Sequence, residues 1–328
     1  KTNPNYEKKL FYPFSIALAI AILFMTACSS DEPGPVDNTY KGVELTPAES
    51  EICEAMGKFN IDLFQALVDD EDSKENLIIS PLSTSIFLSM HANYSPETTQ
   101  AQISKALGSS NIEVLNTFNA KMISTLGILD NTTTLNIANS VWYDSKYSLN
   151  NIVNQALPRY YNVEFFPCNP LKSDTKDLIN GWIKNKTNNK IKDLYDGTPF
   201  TSLVLNALYF NGTWKDEFNK SHTSKEKFYV GEIYMVDMMK RIDVYEDLAK
   251  GDNFMACRRE YGNGAYSCMF ILPDEDCDIN DFIANLSYSD IASLNFENRK
   301  CDIFIPKFEI QKRINDLNEI LEKLGIYI

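Results

Sequence analysis

Apolar residues in this chain recur first at helical spacing and later at the spacing of strands. Thr46-Pro47-Ala48-Glu49 is a capping box with proline at the first helical position, and Ile52, Met56, Phe59, Leu63 and Leu67 then line one helical face. Asn76-Leu77-Ile78-Ile79 reads as a short apolar strand, stopped by Ser80-Pro81, which cap and open a second helix carrying Leu82, Ile86 and Met90 on one side. Ser95-Pro96-Glu97 repeats that start signal, and Gly108 ends the helix it opens. Residues 135–143 (LNIANSVWY) read as a strand, 150–161 as a helix bent or broken at Pro158, and 163–166 as another strand. Residues 173–188 form a helix with Ile179 and Trp182 or Ile183 inward.

Residues 203–210 are almost continuously apolar, which argues for a strand buried on both faces. Asn206 interrupts the run. A buried amide without partners costs about 1 to 3 kcal/mol, so Asn206 is expected to bond to neighbouring elements. From Phe228 onward the pattern turns to strands: YMVDMM, then FMACRREY and AYSCMFILP, the last two joined through Gly262-Asn263-Gly264, a tight hairpin signal. Two short helices follow, then a strand over 301–310 and a helix over 315–324 capped by Gly325. About nine helices, most of them ahead of most strands and with few βαβ alternations, predict an α+β domain with large mixed or antiparallel sheets.

The first residues follow a different pattern. Lys1, Lys8 and Lys9 precede the apolar run 11–24, and Met25-Thr26-Ala27-Cys28 follows, the order of a secretory signal. The Met-Thr-Ala-Cys ending resembles the lipobox of bacterial lipoproteins, which implies cleavage before Cys28 and a lipid on its sulfur. The alternative is an uncleaved anchor, because residues 10–27 approach the roughly 18 that a spanning helix needs. Pro13 and Ser15 in that run, together with the lipobox, favour the lipoprotein. Lys1 in place of Met leads us to expect further residues upstream. The expected organisation is a signal peptide over 1–27, a lipidated cysteine and disordered tether over 28–45, and a folded domain over 46–328. Such a tether spans about 20 to 25 Å. Ser30-Asp31-Glu32 resembles the acidic signals that send some lipoproteins of Gram-negative bacteria to the cell surface; the expected location is the outer membrane, with its inner or outer face left open.

Composition changes this picture mainly by exclusion. Forty-five acidic against 31 basic residues leave a net charge of -14, which repels phosphate backbones and argues against nucleic acid as a partner. The cysteines at 28, 53, 168, 257, 268, 277 and 301 form no CxxC pair and no close cluster with histidine, so neither a structural metal site nor a dithiol motif is supported. Cys268 and Cys301 sit in apolar runs where a small buried hydrophobe is the commoner role, and no disulfide pairing follows from the spacing. The two histidines, His91 and His222, lie near no nucleophile elbow, HExxH pair or phosphate loop. No enzyme, no cofactor and no metal are expected.

Several segments taken together resemble the serpins, a family of protease inhibitors. Asn76-x-x-x-Ser80-Pro81-x-Ser83 is similar to the start of their second helix, residues 179–191 (INGWIKNKTNNKI) to a helix segment, and residues 203–218 (LVLNALYFNGTWKDEF) to their NAxYFxGxWxxxF strand and turn. VDMM, GAYSCMFILP, FIPKFEI and DLNEILEKLGI follow in family order, so the resemblance runs from about Glu49 to Ile328. Departures are local: Asn93-Tyr94-Ser95-Pro96 replaces a usual glycine, Asn189 another, and Glu260 a frequent proline.

The resemblance implies a serpin-like fold in which Ser80, Pro81, Ser83 and Asn206 lie in the shutter under the central sheet and Trp214 lies at the breach where an inserting strand enters. From the residues alone, Ser80 caps a helix, Asn206 satisfies buried backbone and Trp214 is core. The resemblance further implies a monomeric inhibitor of serine or cysteine proteases. An exposed loop would be offered as bait and, once cleaved, inserted into a sheet so that the bound protease is distorted. Family order puts hinge, bait loop and several core strands after Gly325, so the chain is expected to be incomplete at its C-terminus. A non-inhibitory binding protein of the same fold and an inactive truncated product are the competing expectations.

Overall fold

The computed structural model describes residues 14–16, 38–40, 42–70, 76–109, 111–230, 232–314 and 316–328. They fall into two compact units, one of Val43–Asn211 with Arg313–Ile328, the other of Gly212–Lys312 with the described residues up to Gly42.

The first unit begins with α1 (Pro47–Asp70), whose start is the expected capping box: Thr46 N–H donates to the Glu49 carboxylate at 2.7 Å and Glu49 N–H to Thr46 Oγ1 at 3.3 Å. Ile52, Met56, Phe59, Leu63 and Leu67 are all buried. They pack with Leu115, Phe118 and Met122 of α4 (Ile112–Leu126), a helix the sequence pattern had not yielded, and with Ile320 and Leu321 of α9 (Asn318–Lys323). Between them lie α2 (Pro81–Ala92) and α3 (Glu97–Ala106). Ser95 does not cap α3. Its hydroxyl turns back to the His91 carbonyl at 2.8 Å, and Pro96 occupies the cap position. Gly108 does end α3, in the left-handed region at φ +77°.

A three-stranded sheet completes this unit, in the order β3 (Val163–Cys168), β2 (Thr134–Asp144), β4 (Ser202–Asn211), with β2 parallel to β3 and antiparallel to β4. Helix α5 (Asn151–Tyr161) runs through Pro158 and hands over to β3 at Asn162, which takes φ +50°. Helix α6 (Ser173–Lys186) buries Ile179, Trp182 and Ile183 against Trp142 and Ala207. It stops short of Asn188, because Asn188 and Asn189 both adopt positive φ, which asparagine tolerates better than most residues. Two expectations fail here. Residues 76–79 form no strand, since no described segment pairs with them and a strand exists only through its ladder. Nor is β4 buried on both faces: among the described residues it pairs with β2 alone, and only Ala207 along it is fully buried.

The second unit is built on a six-stranded sheet. Its longest strand, β6 (Glu232–Lys250), pairs with β5 (Ser224–Val230), β7 (Phe254–Tyr261) and β9 (Glu297–Pro306), all antiparallel. A bulge between Arg241 and Val244, with Asp243 at φ +58°, shifts its register against β9. β7 and β8 (Tyr266–Pro273) form the expected hairpin, closed by Gly264 N–H donating to Tyr261 O at 2.8 Å. Helices α7 (Ile279–Asn285) and α8 (Tyr288–Ala292) lay Phe282 and Ile291 against Phe254 and Met269. β9 ends at Pro306 rather than 310, its last bond to β6 being Lys307 N–H donating to Asp237 O at 2.8 Å, and α9 starts at Asn318 rather than 315. Nine α-helices beside mixed and antiparallel sheets, counted among the described residues, make the α+β class. The short strand β1 (Phe14–Ile16) pairs with β8 and lies within the segment read as a signal peptide. Cys28 and the rest of that segment lie outside the described residues, and no described helix is long and apolar enough to cross a membrane.

Candidate functional site

The start of α2 supplies the first polar groups. Ser80 is the N-cap and accepts from Ser83 N–H at 3.4 Å; Pro81 takes the first helical position, where its missing N–H costs nothing. This leaves the Ser83 hydroxyl free to reach across to β4, where it donates to Asn206 Oδ1. Asn206 Nδ2 in turn donates to Asn139 Oδ1 at 2.7 Å, and the two asparagines lie directly opposite each other in the β2–β4 register. Asn139, 1% exposed, passes the chain on through Nδ2 to the Tyr161 carbonyl at 2.7 Å. Each amide gives one bond and accepts one, so a file of side chains ties α2 to β4, β2 and the end of α5.

Tyr161 also has a second polar end. Its hydroxyl, fully buried, donates to Asn116 Oδ1 at 2.6 Å on α4. Asn116 and Asn93 exchange reciprocal amide bonds at 2.8 and 2.9 Å, and Asn93 also donates to Ser89 O at 2.8 Å. Burial pushes the Tyr161 phenol well above its ordinary range, so it stays a donor. Nothing in this file is arranged for catalysis, since Ser83 faces an amide rather than a base. His91 meets Tyr94 OH at 3.0 Å, and burial lowers its pKa. Among the described residues no group of three His, Cys, Asp or Glu side chains could hold a metal ion.

Trp214 belongs to the other unit. It forms a bridge with Tyr261 and stacks on that ring at 4.3 Å and 14°, with the Arg259 guanidinium 5.0 Å from its own ring centre. Arg259, 3% exposed, pairs with Glu246 at 3.2 Å; Glu246 is shared with Arg241 at 2.5 Å, and Arg259 also donates to Asp216 O at 2.5 Å. A carboxylate between two guanidiniums offsets part of the desolvation of all three groups. Burial lowers the Arg259 pKa, and Nη1 of that residue has no hydrogen-bond partner among the described residues. Cys53, Cys168, Cys257, Cys268, Cys277 and Cys301 are all free thiols.

Of the residues singled out from sequence, Ser80, Pro81, Ser83 and Asn206 come together in one place, whereas Cys28 is outside the described residues. Asn139, Tyr161, Asn116 and Asn93 had not been singled out. Asn139, an amide in the apolar run LNIANSVWY, needs buried partners for the same reason as Asn206. No local signal marks the other three.

The family model described as Serpin (serine protease inhibitor) matches residues 54–328. Iripin-3 of Ixodes ricinus is 30% identical over 268 residues, covering 77% of this chain and 67% of that protein. Corticosteroid-binding globulin of Homo sapiens is 30% identical over 266 residues, covering 77% and 65%. The chain thus spans about two thirds of the length of these curated relatives. Among solved structures, the native state of the thermophilic serpin tengpin superposes with a TM-score of 0.74 at 29% identity, covering 87% of this chain and 73% of that one. Emu ovalbumin gives a TM-score of 0.77 at 22% identity, covering 84% and 78%, a likeness of fold alone.

Proposed function

The chain belongs to the serpin family, and from that premise we propose that it is a trapping inhibitor of serine, or cysteine, endopeptidases. A cleaved bait loop inserts beside β4, and the strain released by insertion holds the protease as a covalent complex. Ser80, Pro81, Ser83 and Asn206 act as the shutter that holds the sheet closed, and Trp214 lines the entry point of the inserting strand. The observation that carries this reading is the file of bonds from Ser83 through Asn206 to Asn139. These bonds are made by side chains and are separate from the main-chain ladder that joins β2 and β4, which supports reading them as a latch. Target and bait residue would be set by the loop that family order puts after Gly325.

The domain, residues 46–328, is carried by a tether over 28–45 and anchored in the outer membrane by a lipid on Cys28 after removal of residues 1–27. This follows from the order of basic, apolar and small residues at the N-terminus. The test of inhibition uses the full gene product. Incubated with a panel of serine and cysteine proteases, it is expected to form complexes that survive SDS; clean turnover as a substrate, with no such complex, would sink the proposal. That second outcome would favour a non-inhibitory binding protein, a reading kept in view because corticosteroid-binding globulin is among the relatives.

A further inference from the structure

We propose that Tyr161 is a coupling residue, joining the Ser83–Asn206–Asn139 latch to the Asn93–Asn116 pair so that each senses whether the other is closed. Apart from helix α2, which carries Ser83 in its first turn and Asn93 at its C-cap, the two clusters share only Tyr161 among the described side-chain hydrogen bonds. One ends on the Tyr161 carbonyl at 2.7 Å from Asn139, the other on its hydroxyl at 2.6 Å from Asn116. Tyr161 has little freedom to respond to one without the other. It is 0% exposed, it closes α5, and the next residue, Asn162, turns the chain into β3 at φ +50°, a conformation few non-glycine residues adopt. A shift of the carbonyl as Asn139 lets go therefore carries the ring with it, and the phenol loses its aim at Asn116.

The consequence depends on the direction of coupling. When the β2–β4 amide pair separates, the Tyr161 hydroxyl loses its bond to Asn116 Oδ1, which keeps only the Asn93 amide, and a buried donor that loses its bond is costly. By reciprocity, anything that fixes Asn93 and Asn116 holds the latch shut. Asn93 lies at the C-terminal end of α2 and is only partly buried, so a contact there reaches the sheet through Tyr161 as well as along α2, and the Tyr161→Phe background separates the two routes. This assigns regulation to the trapping reading made above, but the coupling itself is a property of the fold and is measurable without any protease.

The experiment is a double-mutant cycle on the full chain, with Asn206→Ala and Asn116→Ala made singly and together and unfolding followed in urea. Asn206 and Asn116 do not touch, and independent sites of that kind add. We expect instead a coupling of roughly fivefold or more in the unfolding constant, and we expect it to vanish when the cycle is repeated in a Tyr161→Phe background. That variant keeps the ring and the carbonyl and removes only the hydroxyl. Should Asn116→Ala not fold, Asn93→Ala takes its place at the partly exposed end of the pair. Additivity in the native background overturns the proposal, as does coupling that survives Tyr161→Phe. Either failure leaves the inhibitor reading untouched, because that reading is decided by the SDS-resistant complex.

Discussion

Asn206 is a small residue with a large consequence because its amide has a donor and an acceptor and both are used. Asn206→Ala removes both, and leaves Asn139 Oδ1 and the Ser83 hydroxyl without partners in a half-buried to buried setting. The expected loss is about 1 to 3 kcal/mol of stability, read as a lower urea midpoint. Asn206→Asp keeps the acceptor for Ser83 but turns a carboxylate oxygen toward Asn139 Oδ1, acceptor against acceptor, and is expected to cost at least as much as Asn206→Ala. The buried thiols give a pH-dependent prediction. Burial pushes both Cys257 and Cys268 from 9.0 up to about 12, so the folded chain keeps protons that an unfolded chain gives up. The stability this contributes is complete below pH 9.0 and is lost as pH rises toward about 12. Urea midpoints should therefore decline across that window, and Cys257→Ser with Cys268→Ser should flatten the decline. At neutral pH a thiol reagent should label neither residue in the folded chain.

At the scale of elements, helix starts were legible because they rest on neighbours in sequence. Thr46 and Glu49 cap α1, and Ser80 with Pro81 opens α2, through contacts three residues apart. Strand pairing was less legible. Residues 76–79 have the composition of a strand yet form none, and β4 has the pattern of a doubly buried strand yet pairs on one side only among the described residues. Whether an apolar run becomes a strand depends on a partner far away in the chain. Helix α4 escaped notice for the converse reason: its apolar positions alternate with Asn116 and Asn119, which are polar in sequence but buried by bonds made in the fold. The turn after α3 yields a prediction at this scale. A Cβ on Gly108 would stand 2.3 Å from the Ala55 Cβ of α1, at φ +77°. Gly108→Ala should thus cost about 1 to 3 kcal/mol, measured as a drop in the thermal midpoint, with the helix content of the folded state unchanged.

For the whole molecule, the prediction concerns its address. If the lipid sits on Cys28, Cys28→Ala should move the protein from the membrane fraction to the soluble fraction without changing its melting, and labelling with a radioactive fatty acid should disappear; a Cys28→Ala protein that stays in the membrane counts against the anchor. The family, the α+β class and the polar residues at the start of α2 were all determined by the sequence alone, because motif order, helical spacing and capping are properties of residues near one another along the chain. The tertiary structure alone decided what Asn206 is bonded to, that Tyr161 touches two clusters at once, and that Arg259 and Glu246 share a buried site with Trp214. These contacts join residues tens of positions apart, and a buried polar group records in its own identity only that it needs a partner, not which one the fold will bring.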